Sequence, residues 1–111
     1  MGAAVLAVVL AGCSASLRTA PAPAEECETA LLTGALVEDP RSGLGVEDVT
    51  GTVTPVTWPF GYSARLDLGG IALVDADGAV VAHVGDSIEV AGGLGTDFWA
   101  ACGFGITNLE T

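Results

Sequence analysis

Side chains able to do chemistry are sparse in this chain. Three cysteines stand at 13, 27 and 102, His83 is the one histidine, there is no lysine, and Asp and Glu together number 14. Without lysine, Schiff-base chemistry is closed. His83 lies between Ala82 and Val84 in a strand-like run, where a lone histidine is more often a surface or hydrogen-bonded residue than a catalyst. Ser63 or Ser87 with His83 and an aspartate would formally complete a triad. Neither serine, however, has the sharp strand-to-helix turn that exposes a nucleophile. Asp75-x-Asp77-Gly78 has the form of the opening of a calcium loop, in which alternate carboxylates converge on a hard cation. The ligands that should follow are missing, since Ala79, Val80 and Val81 supply no side-chain oxygen. Asp and Gly are also what a plain hairpin turn requires. The turn is the favoured reading, with Asp75 and Asp77 left as candidate metal ligands. The carboxylates form no recognisable catalytic pair, so no catalytic residue and no cofactor is expected.

The densest feature is aromatic. Trp58-Pro59-Phe60-Gly61-Tyr62 holds three of the six aromatic residues in five positions. Pro59 and Gly61 break a regular ladder, which makes the segment a loop or strand edge. Two roles are open to it. Trp58 and Phe60 can plug one end of a small barrel, or Trp58, Phe60 and Tyr62 can form a platform for a partner, because rigid rings bring large contact area at low entropic cost. Core plugging is the favoured role.

What positions these residues is bounded by length and charge. A chain of 111 residues has room for one domain. Half its residues are apolar and the mean hydropathy is +0.60, so a core is available. The net charge of −11, with arginine only at 18, 41 and 65, excludes nucleic acid as a partner, because phosphate is neutralised by Lys and Arg. An anionic lipid surface would repel the chain for the same reason.

The first residues carry an address. Gly2 to Gly12 is an uncharged apolar run too short to cross a hydrocarbon core of roughly 30 Å, but of the length of a signal-peptide core. It ends Leu10-Ala11-Gly12-Cys13, which resembles the bacterial lipobox: an aliphatic residue and two small ones before a cysteine. That resemblance implies a signal peptide over 1–12, a diacylglyceryl group on the Cys13 thiol, and cleavage just before Cys13. The protein would then be anchored to the cell membrane on its extracytoplasmic face. No Lys or Arg precedes the run, which departs from the usual pattern and leaves open a start upstream of Met1. Residues 13–24 follow as lipidated cysteine and linker. Ser14 to Ala24, with Pro21 and Pro23, reads as a polyproline-like tether spanning roughly 35 Å when extended. With Cys13 acylated, Cys27 and Cys102 remain, in an oxidising compartment that favours a disulfide between them. One histidine and a bonded cysteine pair make a zinc site unfavourable.

Residues 25–111 read as a compact, mostly β domain. Strand-like pieces are expected over Thr29–Val37, Val46–Thr57, Arg65–Leu68, Ile71–Val74, Ala79–Val84, Ser87–Val90 and Phe98–Cys102, separated by Gly- and Asp-rich turns. A helical turn near Val46-Glu47-Asp48 is the one helical possibility. A two-residue hairpin turn at Gly69-Gly70 would set Leu68 opposite Ile71 and Leu66 opposite Leu73; a β-bulge at the glycines would preserve the same facing. The expected architecture is a small OB-like barrel or sandwich of five to six short antiparallel strands behind an apolar N-terminal signal segment.

From Trp58 to Gly93, the WPFGY stretch, the hairpin LVDADGAVVA at 73–82, the GD at 85–86, the GG at 92–93 and the later Cys102 resemble small lipoproteins of high-GC Gram-positive bacteria. That resemblance implies an OB-like barrel and supplies no catalytic residue to carry over. The expected role is a non-enzymatic binding or interaction module of the cell envelope, held by lipid on Cys13 and meeting an envelope protein partner. A carboxylate-using envelope hydrolase, or an inhibitor or accessory subunit of an envelope complex, is the alternative.

Overall fold

Alternation of inward apolar and outward polar residues, with Gly- and Asp-bearing turns between, dictates strands throughout. A computed structural model describes residues 16–24 and 26–110. It contains β1 (Ala30–Asp39), β2 (Gly43–Glu47), β3 (Val53–Thr57), β4 (Ser63–Asp67), β5 (Gly70–Val74), β6 (Val80–His83), β7 (Ser87–Leu94) and β8 (Trp99–Asn108). No helix occurs among the described residues. The signal segment and Cys13 lie outside them.

Five strands close into a barrel in the order β1-β2-β3-β8-β7, and the other three form a separate sheet, β4-β5-β6. The closed five-stranded barrel is the mostly β architecture expected; the second sheet was not. Ring closure depends on β1, which pairs with β7 through Ala35 and with β2 from Ala35 onward. Gly34 stands at that changeover, where a Cβ would collide with the backbone carbonyl of Glu47. A bare backbone is what lets the strand turn the corner there. The seam between β3 and β8 is parallel, with Val56 opposite Trp99.

Leu36, Leu44, Val46, Val56, Trp58, Ile88 and Val90 fill the barrel, joined by Leu73 and Ala82 from the second sheet. That sheet is fastened to the barrel by polar contacts. The Asn108 amide, on β8, donates to the Val81 carbonyl at 3.1 Å and to the Asp86 carboxylate at 3.3 Å, and Asp86 in turn accepts the His83 N–H at 2.9 Å.

Three expectations give way. The β-branched run Val46–Thr57 is two strands, because one Asp48 carboxylate oxygen accepts from the N–H groups of Thr50 and Thr52 and from the Thr50 hydroxyl, folding the middle into a turn. The β4–β5 turn centres on Leu68-Gly69, not Gly69-Gly70, so Leu66 faces Ile71 and Ala64 faces Leu73. The Asp67 carboxylate accepts the Gly69 N–H at 2.7 Å and sets this position. The pairing moves by two residues along β5, which keeps Leu66 on the face of Ile71 and Leu73 but brings it next to the turn, where Leu66 and Leu68 are exposed. Finally, residues 17–20 lie along the barrel although composition reads them as tether. Thr19 pairs in parallel with Trp58, which donates its N–H to the Arg18 carbonyl and accepts from Ala20 N–H. Backbone groups at the end of β3 would otherwise have no strand partner.

Candidate functional site

The chain leaves the barrel for the second sheet through the aromatic segment, and the three rings part company there. Trp58 is fully buried, with its indole N–H donated to the Leu44 carbonyl at 2.9 Å. A tryptophan can be buried this completely because its one donor is satisfied. It plugs the barrel as expected. Phe60 does not: two residues on, it is 48% exposed. Pro59 and the turn closed by the Tyr62 N–H on the Pro59 carbonyl carry Phe60 away from the core. Tyr62 is half-buried against the core, and its hydroxyl donates to the Gly103 carbonyl at 3.3 Å.

Phe60 and Tyr62 line a cavity of about 360 Å³, near the lower end of the ~300–1,000 Å³ range of small-molecule sites. Pro23 and Ala24, from the segment that leads into the domain, and Ala76, from the β5–β6 turn, complete much of the wall. Asp75 and Asp77 lie at its edge. The cavity therefore has an apolar body and an acidic border. Burial raises the Tyr62 hydroxyl above the ordinary tyrosine pKa, and the charges of Asp75 and Asp77 raise it further, so the phenol stays protonated at neutral pH.

The Asp75–Gly78 segment is the hairpin turn that its residues favour. One Asp75 oxygen accepts the N–H groups of Asp77 (2.9 Å) and Ala79 (3.0 Å), and Gly78 takes a positive φ of 87°. Among the described residues, no three of His, Cys, Asp and Glu converge on a common point where a metal ion could sit.

The bond between Cys27 and Cys102 forms, with Cα atoms 5.5 Å apart. Cys27 borders the same cavity, so the disulfide fastens the cavity's entry segment to β8. His83 is a satisfied strand residue: its Nε2 lies 2.8 Å from one Asp67 oxygen and 3.0 Å from the other. The Gly69 N–H, chiefly, and His83 hold the Asp67 carboxyl below its usual range. Neither Ser63 nor Ser87 is among the hydrogen-bond partners of His83 in the described residues.

Sequence reasoning found Phe60 and Tyr62 but not the wall opposite them. Alanine and proline have no chemistry to announce a site, and only the fold brings Pro23, Ala24 and Ala76 beside the rings. The chain matches no protein-family model, no curated protein and no solved structure.

Proposed function

We propose that this is a lipid-anchored binding module of the bacterial cell envelope, with the cavity at Phe60 and Tyr62 as its recognition site. The division of the aromatic segment carries this reading. Trp58 is spent on the core, whereas Phe60 stays half exposed on the lining of a preformed apolar cavity, where a ligand would bury it further. The anchor rests on the lipobox-like Leu10-Ala11-Gly12-Cys13 and on the likeness to small lipoproteins of high-GC Gram-positive bacteria. With Leu17 packed on the core and residues 18–20 hydrogen-bonded to the barrel, an acylated Cys13 would hold the domain close to the bilayer.

Two measurements test the two halves of the proposal. Intact-mass analysis of the protein from its own membranes is expected to show a mature chain beginning at Cys13 with a lipid adduct, firmly held because it carries more than one acyl chain. Cys13→Ser should leave an unprocessed or released form, and a wild-type chain without lipid sinks the anchor. Partner recovery from solubilised membranes should fall for Phe60→Ala while folding is unchanged; equal recovery by wild type and Phe60→Ala removes the cavity from recognition.

A further inference from the structure

The cavity has a sign as well as a shape. We infer that it takes a small organic ammonium ion, with the apolar body against Phe60 and Tyr62 and the charged head toward Asp75 and Asp77. This rests on the reading of the cavity as a recognition site and names its ligand class.

Charge is the first argument. The cavity is bordered by two carboxylates and by no basic residue. The chain has only three arginines, and two are committed elsewhere. Arg41 is held by Asp39 and the Val53 carbonyl, and Arg18 lies over the Phe98 ring with its Nε donated to Thr57. An anion would enter against both local carboxylates and a net charge of −11, whereas a cation is drawn in by the same field.

Free acceptors are the second. Turn formation occupies one oxygen of Asp75. Among the described residues, nothing donates to its other oxygen or to the Asp77 carboxylate. The Tyr62 hydroxyl gives its proton to Gly103, which leaves its lone pairs for a ligand N–H. The second Asp75 oxygen, the Asp77 carboxylate and the Tyr62 lone pairs are thus acceptors that an ammonium group can use.

The walls supply the third. Phe60 and Tyr62, with Pro23, Ala24 and Ala76, offer apolar contact to the body of the ligand. A bare metal ion would gain nothing from such walls, because hard cations need six or more oxygens. An ammonium ion on a one-ring apolar body uses both halves of the site.

The test is a ¹H–¹⁵N NMR titration of the full chain with three probes of one shape: 2-phenylethylammonium, neutral 2-phenylethanol and anionic phenylacetate. Shifts are expected at residues 60–62 and 75–77, with the ammonium bound several-fold more tightly than the alcohol and the phenylacetate weakest. Asp77→Asn should reduce the preference for ammonium over alcohol several-fold, and Phe60→Ala should weaken both; the dispersion of the remaining amide cross-peaks reports that each variant is folded. Equal binding of ammonium and alcohol at these residues overturns the charge assignment while leaving the recognition site in place. Shifts elsewhere, or none at millimolar probe, overturn the ligand assignment, and recovery of an envelope partner then decides the binding reading on its own.

Discussion

Among the described residues, five strands close on themselves and three do not. In the barrel each strand has a neighbour on both sides, and the interior is filled by Leu36, Leu44, Val46, Val56, Trp58, Ile88 and Val90. The β4-β5-β6 sheet has two open edges, contributes only Leu73 and Ala82 to that cluster, and leaves Leu66 and Leu68 in solvent. Its ties to the barrel include polar ones, such as Asn108 to Val81. The comparison separates two jobs: the barrel supplies stability, and the junction with the open sheet supplies a surface. The cavity lies at that junction, bounded by the segment leaving β3 and the turn between β5 and β6.

Changes in the barrel should therefore be severe and changes in the open sheet mild. Trp58→Ala removes the largest fully buried side chain and one of the two donors to the Leu44 carbonyl, which keeps the Ser42 hydroxyl. It is expected to cost about 3–5 kcal/mol, read from urea unfolding midpoints; a loss under about 1 kcal/mol would break the comparison.

Reducing Cys27–Cys102 comes next. The bond joins residues 75 positions apart, and releasing a loop that long is expected to cost up to about 4 kcal/mol. Thermal unfolding with and without reductant checks this. An unchanged Tm would mean that the entry segment contributes nothing to the barrel.

Asp39 gives a smaller, pH-dependent effect. Burial pushes its carboxyl up, but hydrogen bonds from the Arg41 side chain and backbone, with the Arg41 charge, bring it below the usual range. A depressed carboxyl stabilises the fold above its unfolded pKa, near 3.9, and that contribution is lost as pH falls through the folded value. Asp39→Asn should cost about 1–3 kcal/mol at neutral pH and flatten the acid side of the stability profile below about pH 4. A mutant that keeps the wild-type acid limb would remove this pair from the account.

In the open sheet, Leu68→Ser exchanges a fully exposed residue of the β4–β5 turn. Its expected effect is within about 0.5 kcal/mol, and a large loss by the same urea assay would mean that the sheet's outer face is covered.

Much of the fold was legible because its signals are local. Alternation in Ser87–Val90 puts Ile88 and Val90 inside, and Asp75-Ala76-Asp77-Gly78 contains the carboxylate and the glycine its turn uses. The disulfide followed from the count of cysteines left after Cys13. Less legible were features decided by one competing hydrogen bond. Thr50 and Thr52 favour strand by type, yet the Asp48 carboxylate captures their N–H groups and makes a turn. Asp67 does the same to Gly69 and moves the turn one residue toward the N-terminus. Residues 17–20 looked like tether because small residues carry no burial signal; backbone pairing to Trp58 holds them. The cavity was half legible, through Phe60 and Tyr62, because its remaining wall is small residues assembled by the fold.

Equilibrium urea unfolding of Phe60→Ala beside Trp58→Ala tests the central division most directly, since the two rings are neighbours in sequence with opposite assignments. Phe60→Ala is expected to unfold within about 0.5 kcal/mol of wild type while Trp58→Ala loses about 3–5 kcal/mol. A Phe60→Ala loss as large as that of Trp58→Ala would put both rings in the core and contradict the account.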